Sequence, residues 1–199
     1  NFANKVVEEV NKAAELDETK DSLSAKVLQA IVDEEPAKIE AISKENKDQL
    51  IEDAVDAAKK QKEGDIIDET DYTKIITDVM VNTETETASK ILEEVDNIET
   101  DSNFKLDFID VLKEEENFDK TLDILSATSV QNNDAITNII NEAIDKIEDD
   151  EDVSKITDIL KDSEGSLSEK ILDAGNKNKE NKEKISEVLK EVAEEDPDK

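Results

Sequence analysis

The chain has 199 residues, of which 41% are charged, and 56 acidic residues against 25 basic ones give a formal net charge of −31 at pH 7. A surface this negative repels phosphate backbones and anionic headgroups, which argues against binding to nucleic acid or to a membrane surface. Cysteine and histidine are both missing, so disulfides, thiolate nucleophiles, imidazole bases and Cys/His zinc sites are excluded. No apolar run approaches the roughly 20 residues of a membrane span.

The apolar residues, 35% of the chain, are mostly Ile, Leu, Val and Ala. Low hydrophobicity with high net charge is typical of disorder, but a disordered tail would not keep apolar residues at i, i+3, i+4 and i+7. We therefore expect a folded, all-α protein. The pattern predicts helices over 2–14, 21–32, 37–45, 47–61, 71–81, 85–96, 104–114, 118–127, 133–148, 152–161, 167–174 and 179–194.

Cap and turn residues agree with these boundaries. Pro36 stands in the first turn of the predicted third helix, where a missing N–H costs nothing. Gly64 follows the fourth helix, at a position where a left-handed residue is favoured. Thr83 and Glu86 form a capping-box pattern before the sixth helix.

Three short segments resemble one another: LSAKVL at 23–28, TASKIL at 87–92 and LSEKIL at 167–172. They predict repeated helical hairpins, hence a right-handed superhelix, or α-solenoid, of about ten to twelve short helices. The alternative is that acidic amphipathic helices resemble one another by composition alone. We expect one continuous helical-repeat domain over 1–199, with candidate sub-boundaries near 62–70 and 128–134.

Helical phasing also predicts the core. Phe104, Phe108 and Leu112 follow one another at i, i+4 and i+8, a stripe that we interpret as core rather than as a ligand pocket. The residues predicted to be buried are Ile91, Leu92, Phe108, Leu112, Leu125, Ile139, Ile156, Ile159 and Leu172.

Nothing in the sequence identifies a reaction. No phosphate-binding glycine motif occurs, and the chain has only three glycines. Paired carboxylates are so frequent that no pair stands out as an acid–base couple. We assign no catalytic and no cofactor-binding residue, and we expect no enzyme.

The densest acidic run contains the only metal candidates. Asp149, Asp150, Glu151 and Asp152 lie between two predicted helices, where a hard cation, Mg²⁺ or Ca²⁺, could bridge carboxylates. The alternative interpretation is a solvated acidic turn whose last members favour the start of the next helix electrostatically.

The segment Thr87-Ala-Ser-Lys-Ile-Leu-Glu-Glu-Val95, preceded by a short helix that ends in Val79 and Met80, resembles the N-terminal superhelix of MgtE-type magnesium transporters. The same short-helix architecture occurs in flagellar switch proteins. The resemblance covers about residues 71–175 and rests on pattern, because the Leu-Pro-x-Glu turns of the family are missing. It implies a stack of helices of about ten residues with acidic faces that help to sense Mg²⁺, and no binding residue carries over.

Two functions follow as expectations. The first is an interaction or scaffold module, whose negative surface suits a basic or cationic protein partner. The alternative is a divalent-cation-responsive regulatory domain like that of the magnesium transporters. A nucleic-acid mimic that occupies a basic cleft is a third interpretation. We expect a soluble protein and favour the cytoplasm, although the sequence leaves the compartment open.

Overall fold

A computed structural model describes residues 2–16, 21–67, 69–98, 104–114, 118–130, 135–145, 186 and 188–190. All regular structure in these ranges is helical and none of it is strand, so the prediction of an all-α chain is confirmed. The elements are α1 (Phe2–Leu16), α2 (Asp21–Glu34), a 3₁₀ segment (Pro36–Ala41), α3 (Lys44–Lys62), α4 (Tyr72–Asn82), α5 (Thr85–Asp96), α6 (Phe104–Glu114), α7 (Phe118–Val130) and α8 (Ala135–Asp145). A superhelical repeat stays a prediction.

The predicted helices over 85–96 and 104–114 agree with the structure residue for residue. The α-helix predicted over 37–45 is wrong: a 3₁₀ turn ends at Ala41, and Ile42 and Ser43 are extended. A tertiary contact accounts for the break, because the Ser43 amide donates to the Asn4 side-chain oxygen on α1 at 2.8 Å. The helices predicted over 152–161 and 167–174 lie outside the described residues.

Two of the three cap and turn predictions agree with the structure, and the third is wrong. Pro36 opens the 3₁₀ segment and Gly64 follows α3 with φ +84°, both as expected. The Thr83–Glu86 capping box is wrong, since α5 begins at Thr85 and the Thr83 hydroxyl donates back to the Val79 carbonyl at 2.8 Å. A box would need the hydroxyl one residue later, next to the first helical residue.

The chain divides into two compact units, Asn1–Val95 and Asp96–Lys199. In unit 1, α3 packs against α1, α2 and α4. The small side chains of Ala54, Ala57 and Ala58 on α3 are fully buried, which lets neighbouring helices approach closely. Its largest fully buried side chains are Leu28, Ile39, Leu50, Ile51, Tyr72, Ile76, Met80, Ile91 and Leu92.

In unit 2, α6 contacts both α7 and α8. The rings of Phe104 and Phe108 lie 6.5 Å apart between centroids and are buried, so the predicted aromatic stripe is core. Of the nine residues predicted to be buried, the six that the structure describes are all buried; Ile156, Ile159 and Leu172 lie outside the described residues. The single continuous domain stays a prediction.

Candidate functional site

An apolar groove opens on unit 1 between α1, α2 and the 3₁₀ segment. It encloses about 700 Å³, a volume typical of ligand and peptide clefts. Its apolar residues are Ala3, Val6, Val27, Ala30, Ile31 and Ala41, and its charged residues are Asp33, Glu34 and Lys38. The sequence predictions did not include this groove.

The floor of the groove exists because α2 carries two apolar faces. Ala25, Leu28 and Val32 form the first face and are buried in the core. Leu23, Val27, Ala30 and Ile31, at i, i+4, i+7 and i+8, form a second stripe that is only partly covered, and Leu23 is 41% exposed. A helix with one core-facing stripe needs about 100° of apolar surface, so the second stripe exceeds what the fold of this unit requires.

One wall of the groove comes from the first two turns of α1. Asn4 holds this end of α1 against the start of α3, since its side-chain oxygen accepts from the Ser43 amide at 2.8 Å and from the Asn46 side chain at 3.3 Å. Two turns later, buried Asn11 donates to the Asn46 carbonyl at 2.9 Å. These bonds fix the polar side of α1, while Val6 stays 37% exposed beside the groove.

The other wall is the 3₁₀ segment, which is held in place by an ion pair between the half-buried Glu40 and the buried Lys47. Glu40 accepts from the Lys47 ammonium at 2.7 Å through one carboxylate oxygen and from the Thr87 hydroxyl at 2.7 Å through the other. Lys47 and Thr87 are both buried, and so is Ile39, which precedes Glu40 in the sequence. We call this arrangement the Lys47 centre; it links the 3₁₀ segment to α3 and α5.

The rim of the groove is charged and exposed. Asp33, Glu34, Glu35 and Lys38 are all exposed, and Lys38 lies 3.8 Å from a Glu34 oxygen and 3.2 Å from a Glu35 oxygen. One lysine therefore lies within ion-pair distance of two carboxylates, and Asp33 adds a third carboxylate to the rim. This rim offers a negative border to anything that occupies the groove.

A second charged region lies between α2 and α3, and we call it the carboxylate cluster: Asp21, Asp53, Asp56 and Lys60. Lys60 pairs with Asp21 at 2.5 Å. Asp53 has no lysine of its own in the cluster; it accepts from the Gln49 amide at 2.8 Å and from the Ser24 hydroxyl at 3.3 Å. The described ion pairs of the cluster thus join Lys60 to Asp21, and the positive charges of Lys60 and Lys59 both act on Asp56.

Burial is the main reason why the pKa values of two carboxyl groups in the cluster are raised. Burial raises the pKa of Asp53 above its ordinary value of 3.8, the negative charges of Asp21 and Asp56 add to the rise, and the bonds from Gln49 and Ser24 oppose it. Loss of hydration also raises the pKa of Asp56, although this side chain lies at the exposed edge of the cluster and Lys60 opposes the shift. Ionised carboxylates here cost free energy at neutral pH.

Unit 2 contains a buried lysine of its own. Lys105 on α6 contacts the Glu142 carboxylate on α8, donates to the Asp96 carbonyl at 2.7 Å, and lies 3.8 Å from an Asp96 carboxylate oxygen. Asp96 also accepts from Asn138 at 2.9 Å. We call this arrangement the Lys105 centre.

Within the described ranges, no three acidic side chains converge closely enough to hold a metal ion. The predicted candidates Asp149, Asp150, Glu151 and Asp152 lie outside those ranges, so the possible Mg²⁺ or Ca²⁺ site stays a prediction. The helices that the structure describes include none with both the length and the apolar character to cross a bilayer.

The groove and the charged centres therefore have to be interpreted from their own chemistry. The chain matches no protein-family model, and comparison with curated proteins and with solved structures gives no match. The resemblance to the MgtE superhelix stays a prediction on its sequence pattern.

Proposed function

We propose that the chain is a non-enzymatic interaction module and that its groove docks an apolar segment of a basic protein partner. The observation that carries this proposal is the second apolar stripe of α2, from which Val27, Ala30 and Ile31 line a groove that Asp33 and Glu34 also line. Apolar contact supplies binding energy in such sites, and the charged border favours partners of the opposite sign.

The occupant is a different protein rather than a second copy of this chain. Two copies that each carry a formal charge of −31 repel one another, and the repulsion opposes association at low salt. A partner rich in lysine or arginine gains from the same field. The lack of histidine and cysteine in the sequence further supports binding rather than catalysis.

An unbiased selection tests this function. A random peptide library is panned against the full chain and against the double variant Val6→Gln/Ile31→Gln, which makes one wall and the floor of the groove polar. Because Tyr72 is the only tyrosine, no tryptophan is present, and the ring is fully buried in unit 1, tyrosine emission during melting checks that the variant still folds. We expect peptides with several apolar residues to be enriched on the native chain and lost on the folded variant.

A control at a distance from the groove is Glu84→Gln/Glu93→Gln, which changes two exposed residues at α5, a helix that contributes no residue to the groove lining. This variant should retain the enriched peptides. If enrichment is the same on the native chain and on Val6→Gln/Ile31→Gln, the groove does not dock a partner and the proposed function is wrong.

A further inference from the structure

We infer that the segment which the groove receives is an amphipathic α-helix whose apolar stripe is bordered by lysine or arginine. This inference rests on the proposed docking function and adds to it the conformation of the ligand and the residues that select it.

The backbone of the ligand decides between a helix and an extended strand. The parts of unit 1 that the structure describes contain no strand, so they offer no sheet edge for main-chain pairing. An extended peptide laid against an apolar floor would bury N–H and C=O groups without partners, each at a cost of roughly 1–3 kcal/mol. A helix satisfies these groups internally and presents only side chains.

A comparison of the similar segments on α2 and α5 also favours a helical ligand. The segments 23–28 and 87–92 align as LSAKVL and TASKIL, so Leu23 and Val27 on α2 correspond to Thr87 and Ile91 on α5. Thr87 and Ile91 are both fully buried, whereas Leu23 is 41% exposed and Val27 is partly exposed. Packing covers these two positions on α5 and leaves them open on α2, as it would if a further helix were to pack there.

The rim selects the charge of that helix. Asp33 and Glu34 line the groove beside Lys38, and a Glu35 carboxylate oxygen lies 3.2 Å from the Lys38 ammonium, so carboxylates outnumber the ammonium along this border. Lysine or arginine next to the apolar stripe would pair with these carboxylates, while glutamate at the same places would be repelled.

Synthetic peptides of about 18 residues, or five helical turns, test the inference by fluorescence anisotropy with the full chain. All carry leucine at i, i+3, i+4 and i+7, and their border residues are lysine, glutamine or glutamate. A fourth peptide has the composition of the lysine version with the leucine spacing scrambled. We expect the lysine peptide to bind at least 10-fold more tightly than the glutamate peptide and the scrambled peptide to bind at least 10-fold more weakly than its parent.

Variants assign the effect to the rim. Asp33→Asn/Glu34→Gln should weaken the lysine peptide several-fold and leave the glutamine peptide unchanged, whereas Glu84→Gln/Glu93→Gln, with the same change of net charge, should affect neither. Circular dichroism should show helix gained by the lysine peptide when it binds. Equal loss with both double variants would mean that binding follows overall charge, and it would overturn the inference.

The outcomes separate the two proposals. If lysine and glutamate peptides bind equally and both are lost on Val6→Gln/Ile31→Gln, the groove docks peptides but the charge selection is wrong. If no peptide depends on Val6 and Ile31, the docking function itself falls. If sedimentation shows self-association that Val6→Gln/Ile31→Gln abolishes, a second copy occupies the groove and both proposals are wrong about the partner.

Discussion

Lys47 in unit 1 and Lys105 in unit 2 are both buried, but their ammonium groups are paired with different sets of acceptors. Each lysine is almost fully buried, with 6% and 4% of its side chain exposed. The Lys47 ammonium pairs with one carboxylate, Glu40, whose second oxygen is bound by Thr87. The Lys105 ammonium is shared by the Glu142 carboxylate, the Asp96 carbonyl and the Asp96 carboxylate.

The comparison leads us to expect that the lysine with more acceptors contributes more to the stability of its unit. All 25 basic residues are lysine, so no guanidinium is present to span several acceptors at once. If the lysine of either centre is removed, its carboxylate partners are left without a counter-ion, and this destabilises the folded state. The carboxylate cluster shows the opposite limit, because Asp53 is buried with neutral donors only.

The substitution Lys105→Met should have the largest effect. It leaves two carboxylates and one carbonyl without their shared cation, and we expect a loss of about 3–5 kcal/mol in the free energy of unfolding. Hydrogen exchange over 104–114 and 135–145 should rise by several orders of magnitude. The exposed Lys190→Met serves as control and should change exchange little; equal protection in both variants would show that Lys105 contributes no more than a surface lysine.

The substitution Lys47→Met should cost less, about 2–4 kcal/mol, because a single carboxylate loses its partner. Tyrosine emission from Tyr72 reports the melting of unit 1 in this case. The double variant Lys47→Met/Glu40→Gln should recover most of the loss, since glutamine still accepts from Thr87. Lys44→Met is the control: its side chain is 69% exposed, so we expect less than about 0.5 kcal/mol. A double variant as unstable as the single one would contradict the ion-pair explanation.

The substitution Asp53→Asn should stabilise unit 1 by about 1 kcal/mol at pH 7, or roughly 4–8 °C in Tm for a unit of this size. The pKa of Asp53 is raised in the folded state, so the cost of its charge is present at neutral pH and disappears as pH falls through the raised value towards 3.8. The Tm difference between native chain and variant should therefore shrink as pH is lowered to about 3.8. A Tm difference that grows as the pH is lowered would mean that folding lowers the pKa of Asp53 instead of raising it.

The smallest expected effect is the difference in Tm between MgCl₂ and NaCl. NaCl raised from low to physiological concentration should raise Tm, because screening relieves repulsion among carboxylates such as those of the cluster. If the chain acts as an interaction module, MgCl₂ at matched ionic strength should raise Tm no further than NaCl does, because screening depends on ionic strength and not on a specific cation. A clear excess for Mg²⁺ would support the cation-responsive alternative and direct attention to Asp149, Asp150, Glu151 and Asp152.

Helical periodicity predicted the described elements well because amphipathic spacing and packing agree in most of the residues that the structure describes. The six described core predictions depend on one-sided stripes such as Phe104, Phe108 and Leu112, and these are buried. The break at Ile42 and Ser43 was missed because it follows from a contact with Asn4, 39 residues earlier. Local sequence carries no information about such a distant acceptor.

The groove could have been anticipated only in part. The stripe of Leu23, Val27, Ala30 and Ile31 is visible in the sequence beside the stripe of Ala25, Leu28 and Val32, and two stripes on one helix indicate two packing partners. Its position between α1 and the 3₁₀ segment depends on the bonds of Asn4 and Glu40 with other elements. The buried state of Lys47 and Lys105 was equally hidden, since nothing in their neighbouring residues distinguishes them from the exposed lysines.

The Lys47 centre also implies an order of assembly while the chain is synthesised. Glu40 and Lys47 are separated by 7 residues, so their pair can form as soon as the start of α3 has emerged. Thr87 lies 47 residues beyond Glu40, and its hydroxyl arrives only after α4 has been made. During synthesis there is therefore an interval in which Glu40 can pair with Lys47 but not yet with Thr87. The 3₁₀ segment is fully bonded to the rest of unit 1 only when α5 has docked.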